Sequence, residues 1–203
     1  VLKKFNHNIN SKYNFNFNAS NELNEVVLMA KQAFKDDFSK LLPFYNYSLD
    51  NTKNQKTELD SVILKCNNGI LLHDLRSDWV DDLYLLIGKA YYYQKNFDSA
   101  AITFQYINFA FQPRTKDEIG YDKFIGSNQN ATGMLYTIST PEKKNIISKV
   151  VSHTPARNDA ILWMVQTFIA QGRQNEAWSL MTVLRRDTEM PDRLKPALEE
   201  MVA

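Results

Sequence analysis

The sequence is poor in the residues that tie a chain together covalently or bind metals. Among 203 residues only Cys66 is a cysteine, which excludes a disulfide within the chain and a cysteine-based metal site. Val62, Ile63 and Ile70 recur around Cys66 at helical spacing. This spacing predicts a buried thiol that acts as a small apolar side chain, in preference to a reactive one.

Glycine, proline and long apolar runs are also scarce. Six residues each of Gly and Pro are too few for an all-β chain with many turns. No apolar run approaches the roughly 18 residues that a membrane-spanning helix needs. The formal net charge of +1 gives no bulk attraction to nucleic acid or a membrane surface. A folded, mainly helical chain is the class that remains.

Sequence patterns for catalysis are missing. The chain has no Gly-rich phosphate loop, no His-Glu-x-x-His and no Gly-x-Ser-x-Gly. The histidines lie far apart in the sequence, at His7, His73 and His153. Asp36-Asp37 and Asp81-Asp82 are pairs of neighbouring carboxylates. Neighbouring side chains on a helix point about 100° apart, so neither pair forms a catalytic dyad by itself, and we interpret them as helix-face or capping carboxylates. We therefore expect no enzyme activity, no catalytic residues, no cofactor and no metal.

The clearest pattern is a helix–turn–helix unit in residues 81–107, DDLYLLIGKAYYYQKNFDSAAITFQYI. Its apolar residues recur every three and four positions, and its small residues let two helices approach closely. This is the pattern of the 34-residue tetratricopeptide repeat. With Asp81 as position one, the positions that define the repeat are occupied by Ile87, Gly88, Tyr91, Ala100, Phe104 and Ile107.

A second, weaker unit follows, with helices predicted over 158–170 and 174–186 and a turn between them. In the same register the defining positions hold Val165, Phe168, Ala177, Met181 and Leu184. Ala100 and Ala177 lie 77 residues apart, which is two 34-residue periods plus nine. We predict an all-α fold, a tetratricopeptide-type α-solenoid of antiparallel helix pairs with one long loop insertion.

The whole chain is interpreted as a single α-helical repeat domain, 1–203. An Asn-rich extended lead-in, 1–19, precedes an N-terminal helix pair, 20–76, and a polar connection at 46–54 separates its two helices. The best-matching repeat occupies 77–113 and a loop insertion 114–140. A connecting helix, capped by Thr140, is predicted at 141–155. The second repeat occupies 156–190, and the start of a further repeat occupies 191–203. The first helix is expected to run to about residue 41.

Such arrays bury one face of each helix pair and leave a concave groove lined by the first helix of each repeat. The predicted partner-binding residues in the first repeat are Asp82, Leu85, Lys89, Tyr92 and Tyr93. In the second repeat they are Asp159, Leu162, Gln166, Ile169 and Ala170. We expect at least one of Tyr92 and Tyr93 to be exposed, because aromatic rings with a polar tip are common interface anchors.

Several longer runs resemble one protein family. They are KYNFNFNASNELNE, AFKDDFSKLLPFYNY, SDWVDDLYLLIGKAYYYQKNFDSAAITFQYI and ARNDAILWMVQTFIAQGRQNEAWSLM. They are similar to the large tetratricopeptide-repeat lipoproteins of Bacteroidetes that serve gliding motility and type IX protein secretion, the SprE or PorW family. The resemblance covers most of the chain except the insertion at 114–140.

The resemblance implies a scaffold, with no catalytic residue to transfer. It implies the N-terminal repeat region of a periplasmic protein that is attached to the outer membrane by a lipidated cysteine outside this chain. Its partners would be protein components of the secretion or motility machinery, with no nucleic acid and no other membrane contact. The partner-binding residues named above come from the repeat register, not from the family.

Two other functions are compatible with a helical array. One is a module that binds or cleaves glycans or peptidoglycan, which would need exposed aromatics beside a deep carboxylate. The other is a cytosolic chaperone adaptor that clamps C-terminal carboxylates, which needs several cations in the groove. Only Lys89 is well placed for such a clamp.

Overall fold

The computed structural model describes residues 8, 10–39, 46–73, 77–112, 138–142 and 153–202. The described residues form helices, turns and irregular segments and include no β-strand, so the all-α class is confirmed. Their eight α-helices are α1 Phe17–Gln32, α2 Leu49–Lys53, α3 Lys56–His73, α4 Val80–Tyr93, α5 Phe97–Ala110, α6 Arg157–Ala170, α7 Gln174–Arg186 and α8 Lys195–Val202.

The chain divides into two compact units, Val1–Ala100 and Ala101–Ala203. The boundary falls inside α5. Of the predicted insertion at 114–140, all but residues 138–140 lie outside the described residues, as do residues 143–152 of the predicted connecting helix. Thr140, Pro141 and Glu142 are not helical, which differs from the expectation that a helix begins there.

The first unit is built around α3, which packs against α1 on one side and α4 on the other. The apolar residues that recur at helical spacing in α3 and α4 form the core of this unit. Leu59, Val62 and Leu83 are completely buried, at 0% exposure. Cys66 is also at 0%, which confirms the predicted core position of the thiol. Burial of such side chains contributes about 1.5–3 kcal/mol each.

Helical structure begins earlier than expected. Ser11–Asn16 forms a π-helical turn that continues directly into α1, inside the stretch interpreted as extended. The turn packs against α1, α3 and α4, and the ring of Phe15 lies edge-on to His73 at 5.5 Å between centroids. Tertiary packing thus overrides the poor helix propensity of the Asn-rich stretch.

The predicted first helix ends about nine residues early, at Gln32 instead of near residue 41. The chain after it forms a local turn in which Asp37 Oδ1 accepts hydrogen bonds from the backbone N–H and hydroxyl of Ser39, at 3.1 and 2.6 Å. Asp and Ser side chains compete in this way with the hydrogen bonds of a helix. Residues 33–39 therefore form turns and irregular chain in place of the predicted helix.

The connection predicted at 46–54 contains the short helix α2. The hydroxyl of Ser48 accepts hydrogen bonds from the N–H groups of Asp50 and Asn51, at 3.1 and 3.3 Å, which satisfies two donors at the helix N-terminus. Helix α2 packs against α1 and α4. The segment therefore belongs to the core-forming part of the first unit.

Helix α4 ends in a left-handed turn at Lys95, whose φ is +62°. The N–H of Lys95 donates to the carbonyl of Tyr92 and that of Asn96 to the carbonyl of Tyr91, both at 2.9 Å. This pair of hydrogen bonds is the Schellman motif, which satisfies the last carbonyls of a helix. The side chain of Asn96 then accepts from the N–H of Ser99 at 3.3 Å and caps α5.

In the second unit, α6 packs against α7, and α7 packs against α8. Both predicted helix ranges are confirmed to within one residue. Gly172, at φ +73°, ends α6 with the same motif as Lys95. Its N–H donates to the carbonyl of Ile169 at 3.0 Å, and the N–H of Arg173 donates to that of Phe168 at 2.9 Å.

Candidate interaction surfaces

The predicted groove residues of the first repeat are mostly covered. Tyr92 and Tyr93 are 5% and 7% exposed, so the expectation that at least one of them is exposed is wrong. Leu85 is also buried, at 7%. Asp82 and Lys89 are partly exposed. The apolar part of the predicted set is therefore interior, and only its two charged members reach the surface.

Tyr47 and helix α2 lie against Tyr93 at the C-terminal end of α4. The hydroxyl of Thr52, itself completely buried, donates to the backbone carbonyl of Tyr93 at 2.8 Å. The ring of Tyr47 lies edge-on to that of Tyr93, with centroids 6.1 Å apart. The ring of Tyr92 contacts that of Phe97, with centroids 5.6 Å apart. A segment distant in sequence thus covers the C-terminal end of α4.

Two acidic residues fix that end of α4 from other helices. Lys95 Nζ lies 2.8 Å from Asp50 Oδ1, and Gln94 Nε2 donates to Asp60 Oδ1 at 2.7 Å. The hydrogen bond from Lys95 lowers the pKa of Asp50 below its ordinary value. The pKa of Asp60 is lowered first by its hydrogen bond from Lys56 and then by that from Gln94. Both carboxylates are thereby stabilised in the charged form.

The predicted groove residues of the second repeat differ in their surroundings. Leu162 is buried at 4%, whereas Ile169 is 41% exposed. Gln166 and Ala170 are partly exposed. Asp159 forms a two-point ion pair with Arg193, at 3.0 Å from Nη1 to Oδ1 and 2.5 Å from Nη2 to Oδ2. Its carboxylate is therefore engaged within the chain.

A polar cluster that the sequence did not indicate lies beside Asp159. It surrounds the short non-helical segment 138–142, which we call the strap. Asn158, which is 1% exposed, accepts from the N–H of Thr140 and donates to its carbonyl, both at 2.8 Å. Oδ2 of Asp187 accepts from the N–H groups of Ile138 and Ser139, at 2.8 and 2.7 Å.

Two arginines complete the cluster. Arg157, 7% exposed, donates to the carbonyl of Ile138, to Thr140 Oγ1 at 2.9 Å and to the carbonyl of Asn108 at 3.1 Å. Burial lowers the pKa of Arg157 to about 10, although the charge of Asp187 opposes this effect. Arg193 binds both oxygens of Glu142, at 2.7 and 3.0 Å. Its hydrogen bonds to Asp159 and Glu142 raise its pKa despite partial burial.

These contacts position a chain segment. They engage both backbone polar groups of Ile138 and Thr140 and the N–H of Ser139. The partners come from α6, from the residue after α7 and from the turn before α8. No single sequence window contains them, so only the fold brings them together.

No protein-family model matches the chain, and no curated protein does either. Among the described residues, none of the helices combines the length and the apolar character of a membrane span.

Proposed function

We propose that this chain is a non-catalytic protein–protein interaction scaffold built from tetratricopeptide-type helix pairs. We further propose that it is the N-terminal repeat region of a periplasmic lipoprotein attached to the outer membrane, which serves type IX secretion and gliding motility. The first part rests on the helix pairs, and the second rests on the sequence runs that resemble the SprE or PorW family.

The observation that carries the proposal is the repetition of one turn. Lys95 and Gly172 are the left-handed residues of two Schellman motifs, and they lie 77 residues apart. Ala100 and Ala177, the small residues of the two following helices, have the same separation. Both turns occupy position fifteen of the predicted repeat. A shared register of turn and helix supports a repeated supersecondary unit.

Burial at the defining positions also supports the repeat. In the first predicted repeat, Ala100, Phe104 and Ile107 are all at 0% exposure. In the second predicted repeat, Ala177, Met181 and Leu184 are at 1%, 5% and 1%. Repeats of this kind use such residues to bury one face against a neighbour, and the remaining face is available to a partner.

The positions suited to a test are the polar ones that reach the surface. Substitution of Tyr92 or Tyr93 would damage packing, because both are buried. Lys89 and Gln166 are partly exposed and occur at equivalent positions, nine in each repeat. A Lys89→Glu, Gln166→Glu double variant changes the predicted surface at two repeats while leaving the buried positions unchanged. Lys31→Glu, an exposed lysine on α1, is the matched control.

The experiment is affinity capture of the full-length protein from its own cell envelope, followed by mass spectrometry. We expect secretion or motility components in the wild-type capture, retained with Lys31→Glu and depleted at least several-fold with the double variant. Unchanged capture by the double variant would remove the predicted groove from the proposal. A capture that contains no envelope protein, or binding to cell-wall glycans in a parallel assay, would contradict the scaffold function.

A further inference from the structure

The strap at 138–142 is bound as a peptide would be. Asn158 pairs with both backbone polar groups of Thr140, at 2.8 Å each. Asp187 accepts from the two preceding N–H groups, and Arg157 donates to the carbonyl of Ile138. Side chains thus bind both backbone polar groups of Ile138 and Thr140 and the N–H of Ser139. Recognition of main-chain groups is how many domains bind a segment with little dependence on its sequence.

The strap side chains add two selective contacts. The hydroxyl of Thr140 accepts from Arg157 at 2.9 Å, and the carboxylate of Glu142 pairs with Arg193 at 2.7 Å. Pro141, between them, has no N–H and disfavours helical conformation at Thr140. An occupant of this site is therefore a non-helical segment with a hydroxyl residue, then proline, then a carboxylate.

The strap satisfies polar groups that lie beneath it. With the strap in place, Arg157 and Asn158 are 7% and 1% exposed, and Asp187 is 8% exposed. Buried polar and charged groups cost free energy unless they are hydrogen-bonded. The strap provides these hydrogen bonds through its own backbone. A segment that replaces the strap has to offer the same backbone groups.

We propose that the cleft formed by Arg157, Asn158, Asp187 and Arg193 is a peptide-binding site that the strap occupies in cis. Its external ligand is an unstructured protein segment of the type hydroxyl–Pro–acidic. The inference rests on the proposed scaffold function, and it names the class of partner that the second repeat takes. A tethered occupant competes at high effective concentration, so the cleft binds an external peptide weakly until the strap is displaced.

The test is a titration of a fluorescent capped peptide with the strap sequence, ISTPE, into the full chain. Two substitutions weaken the strap but leave the cleft intact. Thr140→Pro removes the N–H that donates a hydrogen bond to Asn158 Oδ1. Glu142→Lys removes the ion pair between Glu142 and Arg193. We expect the doubly substituted chain to bind the peptide at least about tenfold more tightly than the wild type does, because cis competition is lost.

Two controls make the result specific to the cleft. Asn158→Ala in the same background should abolish the gain in affinity, and a peptide of sequence ISPPK should not bind. If circular dichroism shows that the double variant has lost helical structure, Glu142→Lys alone is titrated by the same criteria. It leaves the backbone contacts of the strap in place and removes only the ion pair with Arg193 and the hydrogen bond that Glu142 accepts from Asn158 Nδ2 at 3.2 Å.

A chain that remains folded, weakens its strap and gains no peptide affinity would overturn the inference, as would a gain that Asn158→Ala leaves unchanged. The strap would then be a structural connection only. Such a failure leaves the capture experiment with Lys89 and Gln166 unaffected. Conversely, peptide binding without any envelope partner would count against the proposed scaffold and not against the cleft.

Discussion

Individual residues of this protein differ in how far their neighbours decide their behaviour. Cys66 follows directly from its position on an apolar helix face. Lys95 and Gly172 share one left-handed backbone conformation, which costs free energy at Lys95 because of its Cβ and little at Gly172. Tyr93 depends on a segment more than 40 residues earlier, since its carbonyl accepts a hydrogen bond from Thr52, 41 residues away. The first two cases lead to predictions.

The thiol of Cys66 should be unreactive in the folded protein. Burial raises its pKa to about 12 from an ordinary value of 9.0, with a smaller contribution from the charge of Glu22. The reactive species is the thiolate, so at pH 8 its population falls about 10³-fold relative to the unfolded chain. Labelling with a thiol reagent should be fast in urea and at least about 10³-fold slower in buffer. Labelling at equal rates in both conditions would contradict the buried position.

Gly172→Ala should lower the free energy of unfolding by about 1 kcal/mol, because a side chain at positive φ is strained. The cause is conformational and not steric crowding, since an added Cβ at Gly172 would meet no atom within 4 Å. The neighbouring Gln171→Ala is the control, because Gln171 has an ordinary φ of −78° and should tolerate alanine. Urea unfolding measures both. Equal stability of the two variants would contradict a strained turn.

At the scale of elements, the structure is held by both helix packing and side-chain contacts to connecting segments. Helix α2 covers the end of α4, and the strap is fixed to α6 and to the chain around α8. The polar contacts of the strap are largely buried, whereas the ion pair of Arg185 with Glu199 is exposed. Loss of a buried arginine and loss of an exposed one should therefore change the free energy of unfolding by different amounts.

Arg157→Met should lower the free energy of unfolding by about 2–4 kcal/mol, because it leaves the carbonyls of Asn108 and Ile138 and the hydroxyl of Thr140 without the donor that they have in the folded chain. Arg185→Met is the matched control. That residue is 48% exposed in its ion pair, so its loss should change stability by about 0.5 kcal/mol or less. Chemical denaturation compares the two variants. A cost for Arg157→Met as small as for Arg185→Met would show that the strap cluster does not stabilise the second unit.

At the scale of the whole molecule, surface ion pairs make stability depend on pH. The pKa values of Asp50, Asp60 and Glu176 lie below their ordinary values of 3.8, 3.8 and 4.5. The first cause is a hydrogen bond from Lys95 to Asp50, from Lys56 to Asp60, and from the backbone N–H of Glu176 to its own carboxylate.

We therefore expect the protein to lose stability on acidification. The unfolded chain binds protons at higher pH than the folded chain does, so protonation favours unfolding. The stabilisation is complete above the ordinary pKa values and disappears as the pH falls through the lowered ones. Urea midpoints at pH 7 and pH 3 measure the effect. The triple variant Asp50→Asn, Asp60→Asn, Glu176→Gln should show a smaller decrease, and an unchanged decrease would assign it to other groups.

The sequence alone determined the parts of this protein that depend on local periodicity. The helices α3, α4, α6 and α7 and the turns that follow α4 and α6 occur where residue spacing placed them, since helix faces and helix ends are properties of short segments. Three features required the tertiary structure. The π-helical turn forms against α3 and α4, Tyr47 and Thr52 contact Tyr93, and Asn158 and Asp187 bind the strap. Each joins residues far apart in sequence, and no local pattern encodes which distant backbone group a side chain will meet.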